Sequence, residues 1–389
     1  MTAIIDDTYA EAFKSMYSEV LITAINKKWL DHAVNAATGN ASSSILCDCE
    51  AGLDRYVGPG GDESVITPDG RPGAIIQLHI PKFWKDPKKL EKAALVRISQ
   101  NILTCPTASC FNLMEDCESY FKLGKKVAFF GNKYQKRIER FGRKMWGIPI
   151  LGGEFIMDRR LGYTDGLMGG NLWYFGKNTE SALEAAEKGV EAILPIPDVI
   201  TTFPGGIAGS GSKAGSDYDF TIASTYEKFC PLLQDNPDVD AALPEGVNSV
   251  MEIIMNGKDM DSIITATQAA IEASKETEDL LMISAGNYNG KLGKREIAQG
   301  VLGTESFILT LDDTSSIILN IKVPEIYLKI LKPGLISEVR SDAFDKIFYG
   351  KIDSVSSRVD PSTRSVLASI IVDNKNLDLV PGMLLDIQI

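Results

Sequence analysis

One residue breaks the apolar run "SVMEIIMNG" (249–257). In an extended chain side chains alternate, so Val250, Glu252 and Ile254 point to one face and a carboxylate sits among apolar neighbours. Burial there raises a carboxyl pKa toward neutrality, which suits a group that must donate a proton and then take one back. An outward strand face, or a buried pair with a lysine, would account for the same residue without catalysis. A second stretch, "FPGGIAGSGSKAGSDYDF" (203–220), is dense in glycine and serine and carries one lysine. It is not a Walker loop, because Ser212 separates Gly211 from Lys213. Gly209 to Ala214 spells G-x-G-x-x-A, yet glycine and acidic residues follow where a dinucleotide fingerprint opens a helix. What remains is a row of backbone amides free of side chains, able to approach a ligand closely.

The elements that must position these groups recur. "VLITA" (20–24) is β-type, a helix with Trp29, Ala33, Ala36 and Ala37 on one face follows, and "SSSIL" (42–46) is extended again. "GAIIQLHI" (73–80), a helix with Leu90, Ala94, Leu95, Ile98 and Ile102 on one side, and "TCPTASCF" complete the first half. The second half repeats the order. "NLWYFG" (171–176) leads to a helix with Ala182, Ala185, Ala186, Gly189 and Ile193 on one face, then "DVITTF" (198–203). "SVMEIIMNG", a helix bearing Met260, Ile263, Ile264, Thr267 and Ile271, and "DLLMISAGNYNG" close it. Each half is a β-α-β, β-α-β run, the order of a ferredoxin-like split unit, and the recurrence indicates internal duplication. The register places Gln77 where the second half has Glu252, so only the second half has an ionisable group there.

Segment 203–247 makes the second half longer, and a long excursion in a compact domain points to function, with Phe203, Tyr218 and Phe220 as its expected anchors. Between the halves, residues 121–165 form strands broken by glycines and carry a basic cluster. That cluster is either a solvated hairpin arm or a surface for an oligomer or an acidic partner. Past Gly293 the repeat stops, and five β-type runs separated by Pro-Gly and Asp-Pro turns predict a small antiparallel barrel or sandwich.

The whole-chain numbers agree with a folded enzyme. The chain has 389 residues, 44% hydrophobic and 24% charged, with net charge -12, so two or three domains are expected and a basic nucleic-acid or anionic-membrane footprint is not. "MTAIIDDTYAEAF" lacks the apolar core of a secretory signal, and a cytoplasmic location is expected. Six cysteines at spacings unlike those of zinc sites, and only His32 and His79 as histidines, give no expectation of a metal; the thiols are expected to be reduced.

The motifs "CEAGLDR", "TPDGRPG", "CPTAS", "GGEFIMD", "GGN", "IASTYEKFCP", "LPEGVNSVMEIIMNG" and "ISAGNYNGKLG", with the glycine-rich run, occur in one order over about residues 6–293. This region resembles the formylmethanofuran:tetrahydromethanopterin formyltransferase family. The resemblance implies an α+β fold of two ferredoxin-like lobes, 1–150 and 151–293. The implied activity is formyl transfer between methanofuran and N5 of tetrahydromethanopterin, both acting as substrates, with no tightly bound cofactor. It implies Glu252 at the active site, substrate contacts from Gly205, Gly206, Ser210, Ser212 and Lys213, self-association up to a tetramer, and a place beside other subunits of a formyltransferase/hydrolase complex. Residues 294–389 resemble instead the β-barrel domain of periplasmic adaptor subunits of tripartite efflux pumps. The competing expectation is a non-catalytic scaffold subunit of such a complex, or an efflux-adaptor fragment fused to a formyltransferase.

Overall fold

The computed structural model describes residues 2–218, 220–286, 295–298, 316–329, 331–341, 344–360, 364–373 and 386–388. The architecture is α+β, and the chain divides into two compact units, residues 1–288 with 296–309 and residues 289–295 with 310–389.

In the larger unit the first lobe begins with a long strand β1 (Tyr9–Thr23), then α1 (Lys27–Thr38), β2 (Glu50–Val57), β3 (Gly73–Pro81), α2 (Pro87–Arg97) and β4 (Ser109–Asn112). The strands pair in the order β4-β1-β3-β2, all antiparallel. Asn26 caps α1, and Asp86 followed by Pro87 opens α2, where a missing N–H costs nothing. Leu30, Ala33, Val34 and Ala37 of α1 and Leu90, Ala93 and Ala94 of α2 pack on one core with Val20, Ile22, Ile76 and Leu78 of the sheet.

The expected strand at 42–46 is a turn. Ser43 and Ser44 bond locally, Ser43 Oγ accepting from Ile45 N and Glu50 Oε1 accepting from Ser44 N at 2.8 Å, and such side-chain bonds compete with a ladder. The α1 stripe also rotates from the expected face, leaving Ala36 exposed.

Strands β5 (Lys136–Arg140), β6 (Arg143–Ile150), β7 (Gly153–Asp158) and β8 (Thr164–Gly169) follow. The first three form an antiparallel arm that joins β4 through β7, while β8 pairs with β1.

The second lobe has β9 (Leu172–Gly176), α3 (Thr179–Ile193), β10 (Val199–Thr201), β11 (Ile207–Ala208), β12 (Ser249–Ile253), β13 (Met255–Gly257), α4 (Met260–Ser274) and β14 (Leu280–Ala285). Its sheet runs β14-β9-β12-β11. Reciprocal capping boxes, Asn178 with Ser181 and Asp259 with Ser262, open α3 and α4. The α3 face is the expected one, buried at Ala182, Ala185, Ala186, Gly189 and Ile193. The run "SVMEIIMNG" is two strands broken at Ile254. β12 pairs with β9, whereas β13 crosses to β8 and β10, which ties the two lobes together.

A short strand β15 (Arg295–Ala298) pairs with β1. The smaller unit holds β16 (Ser316–Pro324), β17 (Ile336–Ser341), β18 (Phe344–Asp360), β19 (Ser365–Asp373) and β20 (Asp386–Gln388). They form one antiparallel sheet in the order β16-β19-β18-β17-β20 around a core of its own, which includes Val339, Ile352, Ala368 and Ile370.

Candidate active site

The two faces of the second-lobe sheet differ. Leu172, Tyr174 and Ile253 point toward α3 and α4 and bury in the helix-side core. Trp173, Phe175 and Val250 point the other way, beneath segment 203–247. Glu252 alternates with Met251 and Ile253 and so belongs to this second face, opposite Trp173 on β9 and Ala208 on β11.

The cover over that face is aromatic. Tyr226 stacks on Phe229 at 5.2 Å, and Trp173 meets both edge-on at 5.1 and 4.5 Å. Aromatic pairs of this geometry contribute roughly 0.5–1.5 kcal/mol each beyond burial. Leu243 and Val247 complete the contact. The expected anchors are displaced, since Tyr218 and Phe220 are 67% and 85% exposed.

Glu252 itself is 2% exposed. Its Oε1 accepts from Asn171 Nδ2 at 2.7 Å and from Ser212 Oγ at 2.8 Å, and Asn171 Nδ2 also lies 3.2 Å from Ser212 Oγ. Its Oε2 is buried and accepts no hydrogen bond. Burial raises the Glu252 pKa, opposed by donors on Ser212, Trp173 and Asn171. The Tyr226 hydroxyl is pushed up to about 12, first by burial and then by the charge of Glu252.

Beside the carboxyl lies a pocket of about 100 Å³, whose lining includes Trp173, Gly209, Ser210, Gly211, Tyr226 and Glu252. Gly211 has φ +73, and a Cβ there would stand 3.1 Å from that of Tyr226, so the loop approaches the aromatic wall as only glycine allows.

The structure brings Ser210 and Ser212 to Glu252 and leaves three other candidate residues elsewhere. Gly205 and Gly206 form a turn before β11 with φ +65 and +82, outside the pocket lining. A Cβ on Gly206 would lie 2.6 Å from Thr201 Oγ1 and 2.9 Å from Val190, so this glycine serves close packing on α3. Lys213 is ion-paired with Glu227. Asn171, Trp173 and Tyr226 were not singled out from sequence. The triplet "GGN" and the aromatic content of "NLWYFG" were the available signals, but neither announces a contact across 81 residues.

A buried carboxyl with one oxygen bonded, in the lining of a small pocket, is an arrangement that general acid–base catalysis can use. Residues 1–150 match the family described as formylmethanofuran-tetrahydromethanopterin formyltransferase, and residues 153–301 match the proximal lobe of that enzyme. The Methanocaldococcus jannaschii formylmethanofuran-tetrahydromethanopterin formyltransferase is 45% identical over 294 residues, 75% of this chain and 94% of the relative. The solved Methanosarcina barkeri formyltransferase superposes with TM-score 0.71 at 41% identity, over 76% of this chain and 97% of that one. A chain of the Methylorubrum extorquens formyltransferase/hydrolase complex, solved with methylofuran, superposes with TM-score 0.68 at 35% identity, over 76% and 94%. The chain belongs to the formylmethanofuran:tetrahydromethanopterin formyltransferase family. Residues 316–389 match a different family, the CusB-like β-barrel domain.

Proposed function

We propose that this chain transfers a formyl group between N-formylmethanofuran and N5 of tetrahydromethanopterin, with Glu252 as the proton carrier. The observation that carries the assignment of Glu252 is its buried carboxyl in the lining of a pocket of about 100 Å³, with Oε1 bonded and Oε2 without a hydrogen bond. The attacking amine nitrogen bonds to the formyl carbon, and the carbonyl electron pair moves onto oxygen. Backbone amides of Gly209, Ser210 and Gly211 line the space where that oxygen gathers charge. Protonated Oε2 gives its proton to the departing nitrogen as the old C–N bond breaks. The resulting carboxylate then takes the proton from the newly acylated nitrogen, which returns the site to its starting state. Asn171 and Ser212 hold Oε1, so the proton resides on Oε2. Ser210 is the substrate-side hydroxyl in this reading, and Ser212 acts on the substrate through Glu252. Lys213 reaches a substrate carboxylate only by leaving Glu227, and Gly205 and Gly206 shape the approach.

The matching strand orders, β4-β1-β3-β2 and β14-β9-β12-β11, support two ferredoxin-like lobes related by duplication. The separate sheet and core of the smaller unit, with its family match, support an adaptor-type barrel domain there. The relative solved within a formyltransferase/hydrolase complex supports other subunits as partners. Homo-oligomerisation and a cytoplasmic location belong to the same proposal. Among the described residues no helix is long and apolar enough to cross a membrane. The test is a formyl-transfer assay on the purified chain and its Glu252→Gln variant with both substrates saturating. Normal turnover in the variant would overturn the proton-carrier role, and no transfer by the unaltered chain would overturn the activity.

A further inference from the structure

A concavity of about 1040 Å³ lies away from Glu252, on the arm. It is enclosed by the β5–β6 hairpin, the segment following β4, the turn after β7 and residues 122–125. This is the upper end of the range for small-molecule sites, more than a single inorganic anion needs.

Its lining carries seven basic and three acidic side chains, on a chain whose net charge is -12. Arg143 is already neutralised, its guanidinium bridging Asp158 at 2.6 Å and also pairing with Glu115. The other six, Lys122, Lys125, Arg137, Lys144, Arg159 and Arg160, join no ion pair among the described residues. Two of them are held by rings. Arg160 lies over Tyr120 at 4.0 Å from the centroid, and Arg137 lies over Trp146, its cross-strand partner, at 5.5 Å. A guanidinium stacked on a ring keeps its edge donors free and loses less freedom when it pairs with a carboxylate.

Like charges gathered in a concavity without partners repel one another, and a ligand of opposite charge relieves that repulsion. The ligand must be short. A nucleic acid would run past the groove onto a chain of net charge -12, and a membrane is too flat to fill it. A second copy docking by this patch about a two-fold axis would set these six cations against their own image.

We propose that this groove is a docking site for a short acidic polypeptide segment of a partner protein, bound through carboxylate pairs with Arg137, Arg160 and the neighbouring lysines. The site is independent of the formyl-transfer assignment. The probe is a fluorescein-labelled ten-residue peptide of alternating Glu and Ala, titrated with the full chain and followed by fluorescence anisotropy at low and at physiological salt. Saturable binding that weakens as salt rises is expected. A peptide with Gln in place of Glu should not bind. Both Arg137 and Arg160 are exposed, so the Arg137→Ala/Arg160→Ala double variant should keep its thermal midpoint and its formyl-transfer rate while losing at least tenfold in peptide affinity. The proposal fails if the peptide does not bind, or if the double variant binds it as well as the unaltered chain does. It also fails if a ten-nucleotide single strand or anionic vesicles bind the groove more tightly than the peptide. Loss of self-association in the double variant, with no competition by the peptide, would assign the groove to a second copy and overturn it as well.

Discussion

Gln77 and Glu252 each lie on an inner strand of a sheet, at positions that the sequence register equates. Gln77 lies on β3 opposite Glu19 of β1, and Glu252 lies on β12 opposite Trp173 of β9. Both are buried, at 0% and 2% exposure, but their hydrogen bonding differs. Gln77 donates from Nε2 to Asp54 Oδ2 at 2.8 Å, and its Oε1 meets His79 Nε2 at 2.9 Å; His79 Nδ1 in turn meets Ser15 Oγ. Burial lowers the His79 pKa to about 3, so the imidazole is neutral and the chain from Ser15 to Asp54 is filled. In the second lobe one oxygen of Glu252 is bonded and the other is left open beside a pocket. The comparison teaches that a buried polar residue on this sheet position is not itself a site. What sets Glu252 apart is a carboxyl oxygen without a hydrogen bond and a loop that builds a cavity beside it.

The largest effect is expected at Glu252. Glu252→Gln should lower turnover by on the order of 10²- to 10⁴-fold with substrate binding retained, the usual contribution of a general acid–base group. A reciprocal change, Gln77→Glu, should create no activity, and a chain that transfers formyl through the first lobe would break the comparison.

Next in size is Gly206→Val. The added branch meets Thr201 and Val190 within 3 Å at a φ of +82, a cost of about 2–4 kcal/mol from overpacking and left-handed strain together. A clear fall in thermal midpoint is expected; an unchanged midpoint with weakened substrate affinity would return Gly206 to the ligand.

Gln77→Glu should cost a comparable or smaller amount, about 1–3 kcal/mol, because it sets a second acid against buried Asp54. Chemical denaturation measures it, and a neutral result would show that the first-lobe network is looser than its geometry.

A smaller effect concerns pH. Burial, then the charges of Asp198 and Asp54, raise the Glu19 pKa from 4.5 to about 7. Between those values the folded chain holds a proton that the unfolded chain has released, so this group's contribution falls as pH rises through the window and levels off above 7. Glu19→Gln removes that dependence, and the variant should gain on the unaltered chain by about 1–3 kcal/mol between pH 4.5 and 7. Parallel stability profiles for the two proteins would refute it.

The smallest effect is expected from the tail. Truncation after Leu309, where the larger unit ends, should leave the rate of formyl transfer unchanged in the same assay, and an inactive but folded truncation would make the smaller unit part of the enzyme.

Several features were legible before any coordinates. The α3 stripe from Ala182 to Ile193 followed from helical spacing, because one face of a helix must bury. The placement of Glu252 among apolar neighbours followed from strand alternation. Other features were not. Serine-to-backbone bonds turned 42–46 away from a strand, and the break at Ile254 arose because β12 and β13 serve different sheets. Residues 226–229, and not Tyr218 and Phe220, clamp the excursion, since which aromatics reach β9 depends on the path of a loop with no period.

Local pattern by itself determined the helices and, in α3, the face that is buried, because these depend on spacing along one segment. Only the tertiary structure decided that Asn171 and Ser212 would converge on Oε1, that Oε2 would stay open and that Gly206 would pack on Val190. Those outcomes rest on contacts between segments distant in sequence, with geometry set by the packing of whole sheets and of the loop across them.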